Sequence, residues 1–241
     1  MVQSGSVPGR GDPLRIECGV RSDPGRIRPS NEDFFIVNVK GAIFLVADGM
    51  GGHAAGEIAS QLAATTVEEA LLNDGAELTT AQRLQFAIQK ANETVFETQR
   101  TRPDCRGMGT TLTVLAFRES QSYVAHVGDS RAYLMRDNIL SQLTQDHSVV
   151  WPLYKSAIIS KEDISRHPQK NLITRSIGTQ PQVEADLHEG VAREGDVYLL
   201  CSDGLTDVLS DRQILELLAE KCRSSQELSD MLVDAANAGG G

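Results

Sequence analysis

Short apolar runs bounded by turn residues recur along this chain. Seven of them have the length and composition of buried β-strands, at residues 16–20, 34–39, 42–47, 111–117, 123–127, 132–135 and 197–201. Asp137 and Asn138 stand between the run at 132–136 and a further one at 139–144, which is the two-residue spacing of a tight hairpin. At least part of the sheet is therefore predicted to be antiparallel.

Helical periodicity appears in two pairs of segments. Residues 54–72 and 79–99 carry apolar side chains at spacings of three and four, which predicts two consecutive amphipathic helices. Ser210 and Ser224 each stand three residues before a Gln or Glu and ahead of an apolar stripe, which is the capping-box signature of a helix start. The order of strands, two helices, strands and two helices favours an α+β sandwich in which helices cover sheets.

Two segments show neither the apolar spacing of a helix nor an apolar run typical of a strand. Residues 145–180 are expected to form a flap, because connections longer than about 15 residues usually carry function or lack order. Residues 1–15 are rich in Gly, Pro and Ser and are expected to be a flexible N-terminal arm. A single domain over 16–241 is predicted to follow that arm.

Composition narrows the class of protein. The 241 residues are 40% hydrophobic and 23% charged, which is typical of one folded globular domain. The net charge of -10 argues against nucleic acid and anionic lipid as partners. The four cysteines are widely separated, which argues against a zinc site and a disulfide framework, and no window approaches 18 apolar residues. These features predict a cytoplasmic protein with no membrane contact.

Three of the apolar runs end in a carboxylate beside a glycine, at Asp48, Asp129 and Asp203. One Asp-Gly pair is an ordinary turn signal. Three such carboxylates at the ends of neighbouring strands would concentrate negative charge that is tolerable only around cations. Oxygen ligands without Cys or His favour Mg²⁺ or Mn²⁺, and Gly49 would let a backbone carbonyl approach the same ion.

An arginine stands close to two further carboxylates. Arg28 precedes Glu32 and Asp33, and the planar fork of a guanidinium matches a phosphate dianion. A metal pair with an arginine is what phosphate-ester hydrolysis needs. Taken alone, however, an exposed salt bridge is the commoner fate of an arginine.

Other catalytic patterns are excluded. Residues 49–54 fit the loose dinucleotide pattern G-x-G-x-x-A, but a second helix follows where a Rossmann unit needs a parallel strand. The chain has no G-x-x-x-x-G-K-[ST] phosphate loop and no G-x-S-x-G elbow of a serine hydrolase.

Six motifs in order resemble those of bacterial type 2C metal-dependent serine/threonine protein phosphatases, and the resemblance covers residues 16–241. They are Arg28 with Asn31-Glu32-Asp33, then residues 46–53 (VADGMGGH), 107–111 (GMGTT), 126–131 (HVGDSR), 143–147 (LTQDH) and 200–205 (LCSDGL). Any one of these motifs is weak evidence, but six in the right order are highly specific. The resemblance implies an α+β fold, a β-sandwich of two antiparallel sheets flanked by helix pairs, with the flap at 145–180.

The resemblance also implies a centre of two or three Mn²⁺ or Mg²⁺ ions. Its implied roles are a bridge between two ions for Asp48, a carbonyl ligand for Gly49, a first-ion ligand for Asp203, a third-ion ligand for Asp129, water orientation for Glu32 and Asp33, and phosphate binding for Arg28. Hydrolysis would proceed by direct attack of a metal-activated water on phosphoserine or phosphothreonine. The implied partners are phosphorylated proteins, such as a cognate kinase or its substrates, and a monomer is expected.

The chain departs from the family pattern at two places. Met50 stands where eukaryotic relatives have a histidine that is a candidate general acid, and His53 is the nearest histidine in sequence. After the glycine run 239–241 the family continues with an Asp-Asn pair and an apolar strand, so the domain is expected to be truncated before that strand and to lack one ligand. Two alternatives therefore stay open: a catalytically impaired phosphoprotein-binding module, and a dedicated regulatory phosphatase of a partner-switching pathway.

Overall fold

The computed structural model describes residues 2–5, 15–26, 28–51, 55–73, 77–164, 166–220 and 223–240. The strands in this part of the chain are β1 (Val2–Gly5), β2 (Arg15–Cys18), β3 (Asp33–Asn38), β4 (Ile43–Met50), β5 (Gly109–Thr110), β6 (Leu112–Arg118), β7 (Gln121–Val127), β8 (Arg131–Arg136), β9 (Ile139–Gln142), β10 (Asp186–Val191) and β11 (Val197–Cys201). The helices are α1 (Ala55–Asn73), α2 (Thr80–Thr101), α3 (Trp151–Lys155), α4 (Lys161–Ile164), α5 (Asp203–Thr206), α6 (Asp211–Leu218) and α7 (Ser225–Ala238).

The strands form two sheets in which the paired strands run antiparallel. The first sheet has the order β2-β1-β11-β8-β9. The second has the order β10-β7-β6-β4-β3, with β5 paired to the end of β4. Two antiparallel sheets were predicted, and this part of the prediction is confirmed.

Three apolar layers hold the sheets and helices together. Between the sheets, the ring of Phe117 makes edge contacts with Phe44 at 6.2 Å and with Tyr198 at 5.3 Å between ring centroids. Helices α1 and α2 cover the outer face of the second sheet, and α5, α6 and α7 cover the outer face of the first. The molecule is therefore a four-layer α-β-β-α sandwich, as predicted.

Local sequence signals explain several element boundaries. Asp137 and Asn138 both have positive φ, 50° and 61°, in the turn that joins β8 to β9, as a two-residue hairpin requires. Ser210 and Ser224 both form the predicted capping boxes, at the starts of α6 and α7. Thr79 forms another with Gln82 at the start of α2.

The structure contains two strands that the sequence did not predict, one inside the first sheet and one at an edge of the second. Val2–Gly5, expected in a flexible arm, is strand β1 and pairs with both β2 and β11. Asp186–Val191 is strand β10, although no apolar run marks it. In both cases backbone partners supplied by distant strands stabilise a segment whose own composition is a poor strand signal.

We call residues 145–180 the flap, with the bounds expected from the sequence, although Ile177 near its end is buried in the core and pairs with Thr110. It contains the short helices α3 and α4, and an antiparallel bridge between Ser148 and Ile173 draws its two ends together. Val150, Trp151 and Ile164 form a small apolar cluster inside the flap. In the part of the chain that the structure describes, no helix has the length and apolar composition needed to cross a membrane.

Candidate metal centre

The site begins where β3 and β4 pair. Asp33 and Asp48 are direct register partners in this antiparallel pair, which places two carboxylates side by side at one end of the sandwich. The backbone amide of Gly49 donates to the carbonyl oxygen of Glu32 at 3.1 Å, so Glu32 lies beside the same pair. Three residues implied by the resemblance are thus brought together by strand register.

Two threonines fix the backbone of Asp48. Its amide donates to Thr111 Oγ1 at 2.9 Å, and its carbonyl oxygen accepts from Thr110 Oγ1 at 2.9 Å. The sequence predicted that this strand ends at Asp48. Strand β4 instead continues through residues 49 and 50, which pair with β5. Asp48 is therefore presented from within a paired strand, which is a more rigid support than a loop.

Two glycines let helix α1 approach these carboxylates. A Cβ atom at Gly49 would lie 2.1 Å from the carbonyl oxygen of Gly56, and a Cβ at Gly56 would lie 2.8 Å from the carboxyl carbon of Glu32. Any larger residue at either position would have to displace backbone or the Glu32 carboxylate. The carboxylate of Glu32 consequently packs against the first turn of α1, where helix amides favour negative charge.

Asp203 comes from the opposite sheet. It is the first residue of α5, directly after β11, and its carboxylate shares a hydrogen bond with that of Asp48. The hydroxyl of the preceding Ser202 donates to Asp33 Oδ2 at 2.7 Å. The ends of β4 and β11 therefore converge, which is the arrangement expected from the sequence.

The carboxylates raise one another's pKa values. Burial, followed by the charges of Asp33, Asp203 and Asp129, raises the pKa of Asp48 to about 10. Burial also raises the pKa values of Asp33 and Asp203. Such a cluster holds protons at neutral pH unless a cation neutralises it.

Asp129 lies on the turn between β7 and β8. Burial, together with the charges of Asp203 and Asp146, raises its pKa to about 7. Its charge acts on Asp48, but its side chain does not line the cavity described next. Asp129 is thus close enough for its charge to act on Asp48, but it lies outside the cavity.

A cavity of about 570 Å³ opens over Asp33, Asp48 and Asp203. The exposed side chain of Arg28 lines it, and its positive charge partly offsets the rise that burial causes in the pKa values of Asp33 and Asp203. The cavity is large enough for a phosphoryl group with part of the chain that carries it. Arg28 therefore stands in the same cavity as the carboxylates.

A second cation, which no sequence pattern predicted, lies at this cavity. Lys170 of the flap lines the same cavity, and its Nζ lies 2.5 Å from Oδ2 of Asp207. Its charge partly offsets the rise that burial causes in the pKa of Asp203. No spacing signal links residues 170 and 207, because the contact depends on how the flap folds back over α5. His53, the histidine nearest to Met50 in sequence, lies outside the described residues.

Among the described residues, no group of three Asp, Glu, His or Cys side chains is preassembled to hold a metal ion. The donor set itself is composed of carboxylate and carbonyl oxygens, which suits a hard divalent ion. The residues thus have the chemistry for Mn²⁺ or Mg²⁺.

Comparison with known proteins gives an independent result. The family model described as "Protein phosphatase 2C" matches residues 29–235. The chain is 40% identical over 227 residues to the serine/threonine phosphatase stp of Listeria innocua, covering 92% of this chain and 90% of that protein. It is 41% identical over 231 residues to the serine/threonine protein phosphatase PstP of Mycobacterium tuberculosis, covering 95% of this chain and 43% of that protein.

Solved structures agree with the sequence relatives. The crystal structure of the M. tuberculosis phosphatase PstP/Ppp superposes with a TM-score of 0.83 at 40% identity, covering 91% of each chain. The PstP catalytic domain in complex with two manganese ions superposes with a TM-score of 0.81 at 38% identity, covering 91% of this chain and 90% of that one. With the convergence of Asp33, Asp48 and Asp203 beneath an arginine-lined cavity, these matches settle the family: the chain belongs to the protein phosphatase 2C family and is a serine/threonine protein phosphatase.

Proposed function

We propose that this phosphatase removes phosphate from phosphoserine and phosphothreonine in proteins, using Mn²⁺ or Mg²⁺ held by the carboxylates of the metal centre. The observation that carries the proposal is the position of Asp48. Its carboxylate is surrounded by three further aspartates, and burial with their charges raises its pKa to about 10. A cluster of this kind can ionise at neutral pH only when a cation neutralises it.

The residues divide into ligands and supports. Asp48 and Asp203 with the carbonyl oxygen of Gly49 would hold two ions, and Asp129 would contribute to a third. Glu32 and Asp33 would orient waters around the ions, and the Ser202 hydroxyl bonded to Asp33 at 2.7 Å restricts its rotation. Ions of this kind, when bound, lower the pKa of a coordinated water and neutralise charge on the phosphoryl oxygens.

Arg28 supplies recognition of the substrate. Its exposed guanidinium lies at the cavity over Asp33 and Asp203, where its fork of donors can bind two phosphoryl oxygens. The proton donor for the leaving hydroxyl is assigned to no side chain, because a Met50 thioether carries no proton to give.

Metal-dependent turnover is the direct test. We expect hydrolysis of a phosphothreonine peptide to require added Mn²⁺ and to fall to background in excess chelator. Asp48→Asn and Asp203→Asn should each lose nearly all turnover, and calorimetric titration should show weaker Mn²⁺ binding. The exposed Glu194→Gln is the matched charge-removal control and should behave like the wild type. Full activity in chelator, or near wild-type turnover in both variants, would overturn the proposal.

Three narrower expectations from the sequence belong to this proposal. The substrates include a cognate kinase or the proteins that it phosphorylates, as part of a signalling system. The enzyme acts in the cytoplasm of a bacterium. It acts as a monomer, which size-exclusion chromatography with light scattering checks directly.

A further inference from the structure

The turn that carries Asp129 is held by one residue of the flap. His147 hydrogen-bonds to both backbone polar groups of Gly128, the residue before Asp129. The amide of His147 donates to the carbonyl oxygen of Gly128 at 2.7 Å, and the amide of Gly128 donates to Nδ1 of His147 at 3.0 Å. His147 thus satisfies both backbone hydrogen-bonding groups of Gly128, the carbonyl oxygen with its amide and the amide with its ring.

The imidazole of His147 is itself fixed from its other nitrogen. Because Nδ1 accepts the Gly128 amide proton, a neutral ring carries its proton on Nε2. Nε2 lies 3.2 Å from Asp186 Oδ2 and 3.1 Å from Arg175 Nη1. Arg175 donates to Asp186 Oδ1 at 2.7 Å and so holds that carboxylate in place. The side chain of His147 is 8% exposed, so water competes little for its contact with the Gly128 amide.

The backbone of the flap is pinned at the same point. The amide of Thr174 donates to the carbonyl oxygen of His147 at 2.7 Å, and the adjacent residue Ser148 pairs with Ile173. His147 therefore has a backbone anchor on either side of its ring contacts. Its position is set independently of Asp129.

The opposite side of the turn is blocked. Gly128 has a φ of +112°, and a Cβ there would lie 2.6 Å from the Thr111 side chain. The Thr111 hydroxyl lies 2.7 Å from that of Ser130, so the residue after Asp129 is also tied to β-sheet side chains. The backbone on both sides of Asp129 is therefore held, by His147 at Gly128 and by Thr111 at Ser130.

We infer that His147 is a positioning residue that sets the Gly128 peptide and thereby aims the Asp129 carboxylate at the metal centre. The inference rests on the proposed role of Asp129 as a metal ligand. His147 reaches the ion only through that turn and touches no reacting atom. Partners of this kind, which orient a ligand from behind, typically contribute about 10-fold to 100-fold in metal affinity or activity.

Two substitutions at His147 separate its two ring contacts. In His147→Asn, the side-chain oxygen takes the place of Nδ1 and can accept the Gly128 amide. In His147→Gln, the longer amide reaches the place of Nε2 and can donate to Asp186, but leaves the Gly128 amide without its acceptor. Asp129→Asn is the reference for loss of the ligand, and Glu194→Gln is the neutral control. The full chain is used throughout.

The assay is phosphopeptide hydrolysis as a function of Mn²⁺ concentration, with calorimetric Mn²⁺ titration and thermal melting in chelator. We expect His147→Gln to raise the Mn²⁺ concentration for half-maximal activity by about tenfold or more, in the same direction as Asp129→Asn. His147→Asn should stay within about threefold of the wild type because it restores the Gly128 contact.

The outcomes distinguish the two levels of the argument. If Asp129→Asn shifts the Mn²⁺ requirement and His147→Gln does not, the positioning role is wrong while the metal assignment stands. If Asp129→Asn leaves the Mn²⁺ requirement unchanged, the ligand assignment fails and the positioning role fails with it. Equal losses of melting temperature in both His147 variants without any change in Mn²⁺ dependence would show a purely structural role and would also overturn the inference.

Discussion

Removing the central carboxylate of the metal centre should stabilise the metal-free protein while abolishing its activity. The backbone contacts of Asp48 with Thr110 and Thr111 are unaffected by Asp48→Asn, which changes only the charge and proton affinity of the side chain. In the absence of metal, the wild-type carboxyl group is held among Asp33, Asp203 and Asp129 with its pKa raised from 3.8 to about 10. Folding therefore forces this group to bind a proton that the unfolded chain releases.

The free energy follows from linkage. A folded-state pKa above the unfolded value makes the contribution of Asp48 to stability largest below the unfolded pKa of 3.8, and this contribution is lost as pH rises toward about 10. Each pH unit in that window corresponds to about 1.4 kcal/mol. Without screening, burial of the Asp48 carboxyl group would lower the free energy of unfolding at pH 7 by about 4 kcal/mol. Because Asp48 borders an open cavity, screening by water reduces our expectation to about 2 kcal/mol.

The assay is urea unfolding of wild type and Asp48→Asn in excess EDTA between pH 5 and pH 8. The variant should gain about 0.8 kcal/mol over the wild type at pH 5, about 2 kcal/mol at pH 7 and about 3 kcal/mol at pH 8. Added Mn²⁺ should reverse the order, because an ion that binds only the folded wild type stabilises it by mass action. Glu194→Gln removes one exposed charge and should show neither effect.

Two results would refute this reasoning. One is a metal-free wild type that is at least as stable as Asp48→Asn across the whole pH range. The other is a stability difference that does not change with pH, because a titrating carboxyl group cannot produce a constant difference. Either result would mean that the carboxylates do not crowd one another in solution.

Three further predictions follow from the same site. Arg28→Ala should raise KM for a phosphopeptide by about tenfold while lowering kcat less, because it removes a charge-assisted contact with the bound phosphate; an unchanged KM would make Arg28 a surface charge. Gly49→Ala should destabilise the fold by about 2 kcal/mol or more, since the new methyl group would lie 2.1 Å from a backbone oxygen, whereas Gly204→Ala, where the nearest atom is 3.8 Å away, should change urea stability little. Trp151→Ala should change the relative rates on different phosphoproteins while leaving hydrolysis of p-nitrophenyl phosphate within about threefold, as for a loop outside the metal centre; equal losses on both would contradict a role of the flap in protein recognition.

Local interactions explain what could be predicted from the sequence. The Asp137-Asn138 hairpin and the capping boxes at Ser210 and Ser224 depend on residues within four positions of one another, so their sequence signals survive without knowledge of the fold. The long apolar periods of α1 and α2 are equally local. The carboxylates at strand ends were recognisable for the same reason, because each is adjacent to its own strand.

Tertiary structure decided everything that depends on distant partners. Strand β10 exists because β7 pairs with it, and β1 lies between β2 and β11, although neither segment carries an apolar run. Three contacts of the site are likewise long-range, and no sequence spacing predicts them. They are those of Asp48 with Asp203, of Lys170 with Asp207 and of His147 with Gly128. The sequence by itself determined which chemical groups and local turns are available. Strand pairing and packing between distant segments determined which groups share one cavity, because those contacts form only when residues far apart in sequence come together in the fold.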